Sequence, residues 1–227
     1  MSKKDSRSPK KERLERERGL RREAIIEAAR KSFIELGYDQ TMVEKIAHEA
    51  GYTKVTIYNY FESKDDLFVA VVSRVYQKLF VIMDTYLKQE DVSYELRSMG
   101  DAYLAFFEKH PNDALLFESG RLSVVTAMIR RKSETNGVLT ESEQEFEHQM
   151  KLIEELMTSV ITETMKSSGV QDKVDPFSVI MVLSTFAQAI RELVMRGKTS
   201  VTPEATTKNY LSVFFTIIDK GLRHFDD

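Results

Sequence analysis

An all-α fold is what this sequence predicts, with an N-terminal helix-turn-helix and a larger helical body behind it. Three observations carry the expectation. Residues 41–68, TMVEKIAHEAGYTKVTIYNYFESKDDLF, read as two short helices joined by a glycine turn and running into a third. Beyond residue 62 the apolar residues recur at three- and four-residue spacing in segment after segment. Helix starts are spelled out as capping side chains ahead of prolines, at Asp175-Pro176 and Thr202-Pro203. The expected organisation is a disordered basic arm over 1–18, a three-helix helix-turn-helix domain over 19–62 and a helical domain over 63–227.

The arm comes first. Residues 1–22 carry ten Lys or Arg against four Asp or Glu, and residues 69–227 carry 18 against 23. The net charge of −3 therefore hides a basic N-terminus beside the helix-turn-helix, where cations can neutralise phosphates. A Ser, Lys and Arg-rich leader is also what a solvated, disordered tail looks like, and basic arms can be both. In the first short helix Val43, Ile46, Ala47 and Ala50 recur at helical spacing, and Gly51 stands where the helix must stop on a positive φ. After the turn, Thr53, Lys54, Thr56 and Asn59 supply donors on one side, while Val55, Ile57 and Phe61 are expected to hold the helix down. Such a helix can present its polar side to a groove of duplex DNA. Ser63 and Asp66 resemble a capping box opening the next helix, and Lys64 in its first turn suits a phosphate better than the helix dipole.

The pattern resembles the TetR family of bacterial transcriptional regulators. The resemblance rests on Gly37-Tyr38, Thr41, Ile46-Ala47, Ala50-Gly51, Thr53-Lys54, Thr56-Ile57-Tyr58-Asn59-Tyr60-Phe61 and Ser63-Lys64-Asp65-Asp66-Leu67-Phe68, within residues 21–68. Tyr52, where the family usually has Val or Ile, and Val55, where a small residue is common, depart from it. What the resemblance implies is a DNA-binding regulator in which Tyr58, Tyr60 and Lys64 touch phosphates while Thr53, Lys54, Thr56 and Asn59 face the groove. Thr41 is expected to cap the helix before the turn, and also to offer its hydroxyl to the DNA backbone. The resemblance further implies dimerisation through the last two major helices.

The body follows in order. Leu67, Phe68, Val71, Val72, Val75, Tyr76, Leu79, Met83, Tyr86 and Leu87 predict one long amphipathic helix from about 63 to 87. A helix over about 92–109 carries Leu96, Met99, Tyr103, Phe106 and Phe107 and breaks at His110-Pro111. Residues 112–132 predict one bent helix, or two short ones, around Gly120. Thr140 with Glu143 opens a helix to about 167, closed by Gly169. Helices over about 176–196 and 203–225 are apolar around most of their circumference, beyond what one core can hide. Pairing them with their symmetry mates gives a four-helix bundle, hence a homodimer on a palindromic operator.

Composition removes several classes. The chain has no cysteine, so no disulfide framework or thiol chemistry is expected, and no apolar run approaches the roughly 18 residues of a membrane span. A cytoplasmic protein without a membrane role is expected. His48, His110, His148 and His224 offer no i, i+4 pair for zinc, and Glu145 with His148 forms a single Glu-x-x-His where di-iron bundles need two. No phosphate loop or nucleophile motif appears, so neither an enzyme nor a cofactor is expected. Aromatic and methionine residues suited to an adaptable apolar pocket accumulate on the body helices: Tyr76, Tyr103, Phe106, Phe107, Phe117, Met128, Met150, Met157, Met181 and Phe186. Ordinary core is the competing reading for each of them. Tyr103, Phe107, Met150, Thr185, Phe186 and Gln188 are the expected ligand-binding residues, and a body of net charge −5 over 69–227 favours neutral or cationic apolar effectors. An anionic effector needs a specific cation, with Arg121, Arg130 and Arg191 the candidates. The function these features imply is a repressor released from its operator by a small apolar molecule. A ligand-free factor whose body only dimerises, and a helical metalloprotein, are the alternatives.

Overall fold

The computed structural model describes residues 9–88, 95–134, 137–170, 172–196 and, near the C-terminus, 213, 214, 216–218, 220 and 221. Eight helices follow one another: α1 (Pro9–Gln40), α2 (Val43–Ala50), α3 (Lys54–Tyr58), α4 (Lys64–Leu87), α5 (Glu95–Lys109), α6 (Pro111–Glu134), α7 (Glu141–Ser167) and α8 (Pro176–Arg196). The described residues near the C-terminus are also helical, while the start expected at Thr202-Pro203 lies outside the described residues. Among the described residues there is no β-strand.

Local chemistry sets the boundaries. Thr53 caps α3, accepting the Thr56 amide at 3.2 Å, and Ser63 caps α4, accepting the Asp66 amide at 3.0 Å. Thr140 and Glu143 form the reciprocal box that opens α7, at 3.1 and 2.7 Å. Asp175 caps α8 through the Ser178 amide, which holds its carboxyl below the usual range. Residues 111–134 form a single helix that starts on Pro111 in its first turn, where the missing N–H costs nothing.

One expectation about the arm fails. Residues 9–18, expected to be disordered, are the first turns of α1. The reason lies in i, i+4 pairs along an exposed helix, Lys11 with Glu15 at 4.0 Å and Arg13 with Glu17 at 3.1 Å.

The chain forms two compact units, Met1–Val75 with Leu115–Glu147 and Tyr76–Ala114 with His148–Asp227. The helix-turn-helix expected over 19–62 is therefore part of a larger unit, which also takes in the first half of α4, most of α6 and the first turns of α7. The first unit buries Ile25, Ala29, Phe33, Ile46, Ile57, Phe61, Leu67, Val71, Val72, Phe117, Val124, Met128 and Phe146. The second buries Tyr76, Leu79, Met83, Leu96, Phe106, Val160, Ile161, Met165 and Leu183.

Candidate nucleic-acid interface

α2 supplies the support. It buries Val43, Ile46 and Ala47 and leaves Glu44 and His48 on its exposed side. It ends at Gly51, whose φ of 74° and ψ of 27° form a left-handed cap with its amide on the His48 carbonyl at 3.1 Å. The chain reverses there and α3 begins three residues later.

α3 is five residues long and buries one of them, Ile57. Phe61, 1% exposed, is the second apolar anchor, with the Arg22 guanidinium 5.2 Å above its ring. Val55 corrects the sequence reading: it is 71% exposed, so it does not hold the helix down but projects from the same face as Lys54. Ile57 and Phe61 carry that task alone because a one-and-a-half-turn helix has a single inward position per turn.

Six of the eight expected contact residues frame this face. Lys54, Tyr58 and Asn59 are exposed, Thr56 and Tyr60 are half-buried, and so is Lys64. Lys64 Nζ lies 4.3 Å from the centre of the Tyr38 ring and 3.4 Å from the Asp39 carbonyl. The Tyr38 hydroxyl in turn donates to Asp65. The lysine is thus held at the corner between α1 and α4 by an aromatic ring and a backbone carbonyl. Arg18 reaches the same neighbourhood, its guanidinium carbon 5.7 Å from the Tyr60 ring, so the helical arm adds a cation beside an expected phosphate contact.

Two residues do otherwise than expected. Thr53 is exposed, yet its hydroxyl caps α3 and lies 3.0 Å from the Thr56 hydroxyl, so both oxygens are engaged before any DNA arrives. Thr41 is 1% exposed, and its hydroxyl is shared between the carbonyls of Gly37 at 2.6 Å and Ser32 at 3.1 Å. It neither caps α2, whose N-cap is Met42, nor presents a group to DNA. The break in α1 at Gly37 leaves carbonyls unpaired there, and Thr41 satisfies them.

Sequence reasoning missed Glu44. Its carboxylate pairs with Lys54 Nζ at 2.6 Å across the turn, which holds the carboxyl below its ordinary range and raises the lysine. The two lie ten positions apart on different helices, beyond any i, i+4 rule.

The expected ligand residues are scattered by comparison. Tyr103 and Phe107 pack as a tilted ring pair on α5 with ring centres 4.8 Å apart, and both are half-buried, as is Met150 on α7. Phe186 stacks on Phe214 at 3.5 Å within the second unit. Thr185 is exposed and donates to the Met181 carbonyl at 2.8 Å, which corrects its assignment: it sits on the outward stripe of α8 with Phe177 and Met181. The side chains of Gln188, Arg121, Arg130 and Arg191 lie outside the described ones. Phe117 and Met128 belong to the other unit from Tyr103 and Phe107. Glu145, half of the Glu-x-x-His, is taken by Arg22 at 3.1 Å and Arg74 at 3.2 Å, and His148 is exposed. No helix of the described residues is long and apolar enough to cross a membrane.

A short helix with an outward polar face, seated by two apolar anchors after a glycine turn and flanked by tyrosines and held cations, defines a helix-turn-helix transcriptional regulator that binds DNA. Residues 25–71 match the model of the bacterial regulatory proteins of the tetR family. The fatty acid metabolism regulator protein of Bacillus subtilis is 26% identical over 175 residues, 77% of this chain and 84% of that one. The transcriptional repressor BepR of Brucella suis is 43% identical over 53 residues, 23% of this chain and 25% of its own. Among solved structures, the regulator FadR of Bacillus subtilis in complex with stearoyl-CoA superposes with a TM-score of 0.57 at 20% identity, covering 88% of this chain and 97% of that one. Over residues 25–71, the segment that holds α2, α3 and the start of α4, the chain carries the N-terminal region of the bacterial regulatory proteins of the tetR family.

Proposed function

We propose that the protein is a cytoplasmic, homodimeric repressor that binds a palindromic operator and is released from it by a long-chain acyl-CoA or a close apolar relative. Lys54, Thr56 and Asn59 meet base edges, Tyr58, Tyr60 and Lys64 meet phosphates, and Arg18 adds a further phosphate contact. The observation that carries the effector class is the reach of the similarity to the fatty acid metabolism regulator, which extends over 175 residues and so far beyond the DNA-binding helices. The half-buried Tyr103, Phe107 and Met150, on two helices of the second unit, supply the apolar surface that an acyl chain needs. Dimerisation is supported by exposed Phe177, Met181 and Val182 on α8 and by exposed Val213 and Ile217 in the C-terminal helical stretch.

Two recognition helices of a dimer must enter successive major grooves about 34 to 36 Å apart, so an effector that favours another spacing weakens binding by its differential affinity for the two states. The net charge of −5 over residues 69–227 works against an anionic headgroup and gives the test its arms. Operator selected from a random DNA pool is titrated with protein in the presence of stearoyl-CoA, stearate or a cationic amphiphile. Release by stearoyl-CoA, together with a raised melting temperature, is the expected result. Release by the cationic compound alone overturns the acyl-CoA assignment. Thermal stabilisation without release by any of them leaves a DNA-binding dimer whose body does not switch.

A further inference from the structure

A carboxylate on a DNA-reading face is an expense unless it does something. Glu44 stands on the exposed side of α2, and its partner Lys54 is the first residue of α3. Both side chains are about half exposed, so the pair is not a device for burying charge, and an exposed ion pair contributes little stability. Lys54 Nζ also lies 5.8 Å from the Tyr58 ring, which steers the ammonium along the helix. The result is a donor and an acceptor held side by side, 2.6 Å apart, on the face that meets the groove.

Most groups the major groove offers are acceptors: N7 and O6 of guanine, N7 of adenine, O4 of thymine. A carboxylate repels all of them, and it repels the phosphates as well. Its only favourable partners are the amino groups, of which cytosine N4 is the one carboxylates read most often. Guanine presents two acceptors to a lysine where adenine presents one. Guanine O6 and cytosine N4 are hydrogen-bonded to each other across one base pair, so an acceptor and a donor lie side by side there in the same sense as the protein pair.

We propose that Glu44 and Lys54 act as one reading unit for a G·C pair in each half-site, with Lys54 donating to guanine O6 and N7 and Glu44 accepting from cytosine N4. Glu44 is then a specificity-determining residue: it raises the cost of bases that present no amino group at that position and of non-specific DNA, while Lys54 favours guanine as its partner base. The inference rests on the DNA-binding assignment of α2 and α3 and goes beyond it by naming the base pair.

The test is selection of DNA from a random pool by wild type, Glu44→Gln, Glu44→Ala, Lys54→Met and the Glu44→Ala/Lys54→Met double variant, followed by titration against the recovered site and a scrambled one. Wild type should return a motif with one G·C column per half-site that disappears in either single alanine or methionine variant. The ratio of specific to non-specific affinity should fall by roughly 5- to 100-fold in Glu44→Ala, mainly through tighter binding of scrambled DNA. The double variant should lose no more than the worse single one, because one unit can be broken only once. Circular dichroism checks that each variant keeps its helicity. An unchanged motif and ratio in Glu44→Ala overturns the proposal, as does a column of adenine or an equal loss for both DNAs. Failure of wild type to select any motif overturns the regulator reading itself, which separates the two.

Discussion

Gly120 is the position where the packing of the first unit can be tested most directly. A β-carbon at Gly120 of α6 falls 2.5 Å from one γ-methyl of Val72 and 3.3 Å from the other, and Val72, on α4, is fully buried. A valine on a helix has one strongly preferred rotamer, so its methyls cannot swing aside. In an open helix interior Gly→Ala stabilises by about 1 kcal/mol. Here overpacking costs about 1–3 kcal/mol, so Gly120→Ala should end between neutral and roughly 2 kcal/mol destabilising. Val72→Ala alone removes two methyls, a loss of about 1.6 kcal/mol of transfer free energy before any cavity cost. In that background the clash is gone and Gly120→Ala should stabilise by about 1 kcal/mol.

The coupling between the two substitutions is therefore predicted at about 1–3 kcal/mol in favour of the pair. Urea unfolding at one fixed protein concentration measures it, with unchanged slopes showing that the midpoints report stability. If Gly120→Ala on its own stabilises by the full helix-propensity gain, and the two changes simply add, the close approach of α4 and α6 is refuted.

Three further outcomes follow from named contacts. Lys64→Ala should weaken binding to operator and unrelated DNA alike and lower the salt slope by about one per protomer, read from affinities across a salt series. Met181→Glu or Ile217→Glu, placing a charge on an exposed apolar stripe, should give folded monomers in sedimentation that no longer bind a palindrome; Phe214→Glu is a poorer choice because Phe214 stacks on Phe186 within its own unit. Acid should erode the first unit through Glu23, whose carboxyl is held below its ordinary 4.5 by the hydrogen bond from Arg74. A depressed carboxylate contributes stability above its unfolded value and loses it as pH falls through its folded one, so wild-type stability should decline below about pH 4.5 and Arg74→Met should flatten that slope.

What the sequence made legible is what local physics decides. Gly51, Ser63, the Thr140 and Glu143 box and Asp175 act on backbone groups within four residues, and each sits where the spacing placed it. The helicity of residues 9–18 was equally available in the Lys11–Glu15 and Arg13–Glu17 spacing, but overall composition outweighed it. Direction was not legible. Thr41 turns inward because the broken end of α1 offers carbonyls, Val55 turns outward because Ile57 already fills the inward position of α3, and Thr185 follows the exposed stripe of α8. Which way a residue of a regular helix faces depends on what is packed around that helix, and apolar spacing alone does not encode it. The Glu44–Lys54 pair belongs to the same class, two ordinary surface residues made into a site by the turn between them.

The start of α4 shows why the DNA-binding helices cannot be treated as a self-contained module of residues 19–62. Asp66 is 6% exposed and Glu143 3%, two carboxylates that only a full set of donors can keep there. Asp66 takes the Glu62 amide at 2.8 Å on one oxygen and the Thr140 hydroxyl at 2.7 Å on the other. Glu143 takes the Thr140 amide at 2.7 Å and Arg131 at 3.2 Å, and Arg131 reaches on to Glu62 at 2.5 Å. The loop that follows α3, the first turn of α4 and the first turn of α7 are thereby joined through buried charge, in which removing one partner typically costs about 3–5 kcal/mol. Arg22 and Arg74 repeat the arrangement two residues further along α7, tying Glu145 to α1 and α4. Lys64 stands in that first turn of α4, so the position of this proposed phosphate contact is fixed by residues of α6 and α7 as much as by the helix-turn-helix. Any signal that reaches the recognition helix must therefore move this set as one body or break buried charge pairs, and the first of these is far less costly.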